Sequence, residues 1–106
     1  MSGSRTTTED SYRLDNVHPG EILREDFLVG RDIAASEVAA ATGIDVDHLT
    51  LLLDGKVAVD ANVDLRLARY FGMTEGFFLG LQNDYDLEEE RRAHGAEFDR
   101  IVRRAA

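Results

Sequence analysis

Apolar positions along this chain recur at helical rather than strand spacing. Nothing alternates apolar and polar over a strand length, and the only proline is Pro19. Segments with a period near 3.6 are separated by Gly and Asp punctuation, which predicts an all-α fold. The stretch HPGEILREDFLVG (18–30) opens on Pro19, which suits a first helical position because its missing N–H costs nothing there. Glu21 falls in the first turn, where a carboxylate favours the positive end of the dipole. Ile22, Leu23 and Phe27 form an inward stripe, and Gly30 marks the stop.

The same reading predicts a second helix over 36–42 ended by Gly43, and a third over 46–54 capped by Asp45 and ended by Gly55. A fourth covers 61–71 and stops at Gly72; a fifth covers about 75–83, with Phe77, Phe78 and Leu81 in the core. The segment DYDLEEERRAHGAEFDRIVRRAA (84–106) reads as further helix, with acids over 86–90 and Arg103 and Arg104 closing it, the order the dipole favours. Phe98, Ile101, Val102 and Ala105 recur at i, i+3, i+4, i+7 and give a narrow apolar face, suited to the chain's own core or to a second subunit. Gly95 is the point where this segment can divide. Residues 1–16, MSGSRTTTEDSYRLDN, are polar and are expected to be mobile; they carry no apolar core of a signal peptide.

Within this frame the stretch ATGIDVDHLTLLLDGK (41–56) has the form of a helix-turn-helix corner. Ala39 is small enough for the third helix to cross closely over the second, and Gly43 can take the positive φ of a tight interhelical turn. Ile44, Leu49, Leu52 and Leu53 then plug the angle between them. On these residues alone a generic helical hairpin remains the alternative.

Charge complicates the picture. Twelve basic and 21 acidic side chains give a formal charge of −9. Such a field repels nucleic acid and attracts basic partners. There is no cysteine, hence no disulfide, thiol nucleophile or Cys-based zinc site, a composition that fits a reducing interior such as the cytoplasm. His18, His48 and His94 offer no i, i+4 pair for a metal, and no nucleophile–base set or Gly-rich phosphate loop is present. The expectation is a non-enzyme with no cofactor, no metal and no membrane span.

Four blocks in order carry a wider resemblance: VHPGEILREDFL (17–28), AAATGIDVDHLTLLLDGK (39–56), LRLARYFG (65–72) and FFLGLQNDYDL (77–87). Together they resemble the HigA-type antitoxins of the lambda-repressor-like helix-turn-helix family. The resemblance implies a five-helix bundle over 17–87; the tail 1–16 and the C-terminal helical extension 88–106 lie outside it. It also implies a homodimer, joined through Phe78, Leu81, Tyr85 and Leu87, that binds double-stranded operator DNA. The implied second partner is a basic, RNA-cleaving toxin of the RelE/HigB type.

With Leu49 at the centre of the buried face, a turn of 100° per residue puts Leu52 and Leu53 within about 60° of it and Asp47 and Leu51 nearly opposite. Asp54 lies close behind them, with His48 and Thr50 on the flanks. With the reading positions that the resemblance implies, the expected DNA-facing set is Val46, Asp47, His48, Thr50, Leu51 and Lys56. It departs from the family pattern, which commonly has Arg, Ser, Asn or Gln outward on this helix and a phosphate-contacting Gln where Ala35 stands. Val57 and Ala58 likewise replace a frequent basic pair. Between Ser36 and Asp60 five acids face Lys56 alone. Two functions fit: a repressor with an unusually acidic reading face, or a protein-binding module on the same fold that has largely lost DNA binding.

Overall fold

His18 opens the first helix with its own ring. Its extended backbone (φ −69, ψ 142) makes it the N-cap, and Nδ1 accepts a 2.9 Å hydrogen bond from the Gly20 amide. The chain is seen here as a computed structural model that describes residues 15–105. Those residues hold five helices and no strand, the all-α bundle that the sequence predicts. Helix α1 runs over 19–31, with α-helical geometry in Pro19–Ile22, a wider π turn in Leu23–Leu28 and a tighter 3-10 end in Val29–Arg31. Then follow α2 (Ala35–Thr42), α3 (Val46–Leu53), α4 (Ala61–Phe71) and α5 (Phe77–Asp99).

Gly30 does not stop α1. The chain leaves the helix at Asp32 in the left-handed conformation (φ 55), which Asp tolerates better than most residues. Gly43, Gly55 and Gly72 do end their helices at positive φ, as their positions predict. The largest correction lies further along. The fifth helix starts at Phe77 rather than Glu75 and does not end near Asn83; it continues across the junction at 87–88 to Asp99, bending at His94 (φ −132, ψ 18), one residue before Gly95. No Gly or Pro interrupts 81–94, so nothing local ends the helix there. Beyond Asp99 the apolar pattern does not yield helix: residues 101–105 are irregular, and Ile101 and Val102 are 73% and 87% exposed. A last turn with no core beneath it has little to offset its ordering cost.

The core joins all five helices. Leu23, Val38, Leu49, Leu52, Leu67 and Phe78 are essentially sealed from water. Phe27 packs edge-on against Phe71, Phe77 and Phe78 at centroid separations of 5.0, 6.1 and 5.2 Å. The tail expected over 1–16 falls mostly outside the described residues, but Asn16 is fastened: its amide donates to the Tyr85 carbonyl (2.9 Å) and to Glu89 (3.0 Å).

Burial pushes the His18 imidazole below its ordinary value; Asp86 and the Val57 carbonyl pull the other way without cancelling it. The capping role needs a neutral ring, because a protonated Nδ1 cannot accept from Gly20. With the folded-state value depressed, the unfolded chain binds the proton more readily. Stability from this group is therefore fully present above about pH 6.5 and is lost as pH falls through the folded-state value. The thermal midpoint of the wild type should drop between pH 7 and 5.5, and the drop should be smaller in His18→Asn, which keeps a capping acceptor without titrating. Equal drops in both proteins would remove His18 from the account.

Candidate nucleic-acid interface

The corner between α2 and α3 is built from short-range bonds. Gly43 (φ 77) returns its amide to Ala39 at 3.0 Å. Thr42 Oγ1 donates to the Val38 carbonyl (2.7 Å) and accepts from the Ile44 amide (3.2 Å). One carboxylate oxygen of Asp45 then accepts from both Asp47 and His48 amides at 3.1 Å, satisfying two open donors of the first turn of α3. Arg66 braces the corner from α4, donating through a guanidinium nitrogen to the Thr42 carbonyl and through Nε to Asn62, each at 2.8 Å.

The underside and far end of α3 are equally fixed. Leu49, Leu52 and Leu53 are buried, and Arg24 of α1 donates to the Leu53 carbonyl at 2.9 Å. Gly20 lets α1 approach so closely that an added Cβ would lie 1.8 Å from the Leu52 carbonyl oxygen. Rigid elements hold a site more precisely than loops do.

Opposite that underside, α3 is bare. Val46 and Leu51 are 47% and 44% exposed, and Asp47, Thr50 and Asp54 are exposed beside them. His48 is half-buried on the flank, and Lys56 is exposed in the turn beyond. Among the described residues the side chains of Asp47, Asp54 and Lys56 have no hydrogen-bond or ion-pair partner, so their charges face water. Thr50 Oγ1 donates to the Val46 carbonyl at 2.9 Å. Of the six residues expected to face DNA, five are exposed and His48 is half-buried. Arg31, at the end of α1, holds its guanidinium over the rings of Phe27 and Phe71 at 4.8 and 5.6 Å.

The residues expected to join two subunits are less uniform. Phe78 is a correction: at 1% exposure it is part of the protomer's own core and has no surface for a partner. Leu81 and Tyr85 are half-buried, Leu81 against the core and Tyr85 edge-on to His18. Leu87 alone of the four is exposed.

No family model matches the chain. It is 35% identical over 72 residues to virulence-associated protein I of Dichelobacter nodosus, spanning 68% of this chain and 67% of that protein. It is 32% identical over 81 residues to antitoxin HigA-1 of Vibrio cholerae, covering 76% of each. The chain belongs to the HigA family of antitoxins. Its fold agrees: the structure of the Pseudomonas aeruginosa antitoxin HigA with higBA promoter matches it with a TM-score of 0.78 at 28% identity, over 87% of this chain and all of that one. Membership places the chain among antitoxins rather than enzymes.

Two residues that hold the antitoxin together escaped the sequence reading. Asp64 is buried, and its carboxylate accepts from the amides of Gly76 (2.6 Å) and Leu79 (2.8 Å) at the start of α5. Arg69 pairs with Glu75 at 2.9 Å, and both groups are exposed. Gln82, also buried, accepts from the Val59 amide (2.8 Å) and donates to Asp86 (2.9 Å), tying the α3–α4 connection to α5. A signal for Asp64 existed: positions 63, 64, 67 and 68 share the inward side of α4.

Proposed function

We propose that this antitoxin binds the major groove of its operator through α3 and thereby regulates a toxin–antitoxin operon. The observation that carries the reading is the uncovered edge of α3, from Val46 to Leu51, on a fold whose Pseudomonas aeruginosa relative is solved with promoter DNA. The N-terminal residues of such a helix reach base edges, with phosphate contacts setting its register. Lys56 and the open amides at helix starts are the phosphate-binding groups at hand. Two copies of the chain, joined along α5 near Leu81, Tyr85 and Leu87, would present two such helices to successive half-sites.

The acidity of the edge sets the affinity low rather than abolishing binding. A carboxylate about 4 Å from a phosphate costs about 1 kcal/mol in water and about 4 at an intermediate dielectric. Each phosphate contact contributes a salt slope of about −0.9. The same net charge of −9 suits the second partner, a basic RNA-cleaving toxin. Among the described residues no helix is long and apolar enough to cross a membrane, and we place the protein in the cytoplasm beside its DNA.

Binding to the duplex upstream of the protein's own reading frame, measured across a salt titration, tests this reading. Specific binding below micromolar is expected at 50 mM salt, with a shallow salt slope reflecting few phosphate contacts. Asp47→Arg should tighten non-specific binding at least tenfold and steepen the slope by about one unit. No binding by the wild type at 50 mM salt contradicts the proposal.

A further inference from the structure

The outward face of α3 has no group free to donate a hydrogen bond to a base. Val46 and Leu51 carry no donor, and ionised Asp47 and Asp54 only accept. The one hydroxyl, on Thr50, commits its proton to the Val46 carbonyl at 2.9 Å, leaving oxygen lone pairs and a γ-methyl for an incoming ligand. His48 lies half-buried to one side, and Lys56 lies beyond the helix end.

Base edges in the major groove differ in what they ask of a side chain. Guanine shows two acceptors, N7 and O6, and is read by Arg or Lys; adenine pairs an acceptor with a donor and is read by Asn or Gln. None of these residues stands on the outward face between Val46 and Leu53. Thymine offers its C5-methyl to apolar groups, and cytosine offers the N4 amino group to a carboxylate. Scattered single apolar side chains on a surface need no explanation. Here Val46 and Thr50 share one side of the edge at i, i+4, and Leu51 takes the other side with Asp47 between them. Both large groups are nearly half exposed on the same short helix.

Resting on the operator reading above, we infer that α3 selects pyrimidine edges, reading thymine methyl groups with Val46, Thr50 and Leu51. Asp47 accepts from cytosine N4 and rejects guanine by setting a carboxylate against its two acceptors. The operator half-site that faces α3 therefore presents thymine and cytosine on the contacted strand.

The test uses the full chain and the upstream duplex, footprinted first to locate the protected major groove. Replacing thymine by uracil within the footprint removes only the methyl groups. Binding should weaken about fourfold for each methyl that the protein covers. Leu51→Ala and Val46→Ala, both at exposed positions, should each cancel the penalty at one thymine while leaving the others, a coupling that general loss of stability cannot mimic. Replacing guanine by 7-deazaguanine in the strand contacted by α3 should leave affinity within twofold. Uracil duplexes bound as tightly as thymine duplexes would overturn the inference while the operator reading stands, as would a tenfold loss with 7-deazaguanine. No binding to the unmodified duplex would overturn both.

Discussion

Gly20→Ala should destabilise the protein by about 3 kcal/mol, against the direction that helix propensity alone would give. Within a helix, exchanging Gly for Ala gains up to about 1 kcal/mol. Here the new Cβ would lie 1.8 Å from the Leu52 carbonyl oxygen and 2.8 Å from its carbon, and both are backbone atoms that no rotamer change can move. Relief requires α1 to withdraw from α3, which opens the core around Leu23 and Leu52. Overpacking of this kind costs about 1–3 kcal/mol and occasionally more, a large share of the 5–15 kcal/mol that holds a typical domain. The matched control is Gly80→Ala in α5, where an added Cβ meets nothing within 4 Å. That variant should be neutral or slightly more stable. Urea midpoints of the two variants should therefore move apart; a Gly20→Ala midpoint at or above the wild type would show that α1 and α3 do not touch as described.

Asp64→Ala is the second large effect, expected near 3 kcal/mol. The carboxylate is a cap supplied from another helix: α5 starts at Gly76 with no capping side chain of its own. Its first amides, those of Gly76 and Leu79, both turn to Asp64. Removing the carboxylate leaves two part-buried amides without their acceptor, and an unmade bond of this kind costs about 1–3 kcal/mol. The buried negative charge is itself offset by the positive end of the α5 dipole. Asp64→Asn should recover only part of the loss, because its amide nitrogen must face one of the two donors. Hydrogen exchange at Gly76 and Leu79 should accelerate in both variants. Asp64→Ala within 0.5 kcal/mol of wild type, with those amides still protected, would mean that α5 is held by packing alone.

These two residues also mark where reading from sequence gives out. Helix ends were legible because local chemistry sets them: Asp45 caps α3 as its position predicts, and Gly43, Gly55 and Gly72 stop their helices at positive φ. The buried and exposed sides of α3 followed from the 100° rotation alone. What failed depended on contacts between distant segments. Nothing in the sequence around Gly20 announces the Leu52 carbonyl beside it, and nothing around Asp64 announces the start of α5. Phe78 reads as a subunit contact as well as a core residue, although three neighbouring aromatic rings of one protomer already enclose it. The apolar spacing of 98–105 suggested a helical face, yet spacing sustains a helix only where a core lies beneath it. The residues expected to face DNA form a different case. Their positions were legible, but their chemistry contradicts the pattern of the family that the fold belongs to, and only the exposed, unpartnered edge argues that they are used.

Amide shifts of the labelled protein during titration with the upstream duplex address that edge most directly. The shifts should concentrate at Val46, Asp47, Thr50, Leu51 and Lys56 and leave 84–99 of α5 unmoved. Shifts confined to α5, with α3 silent at saturating duplex, would contradict a reading helix.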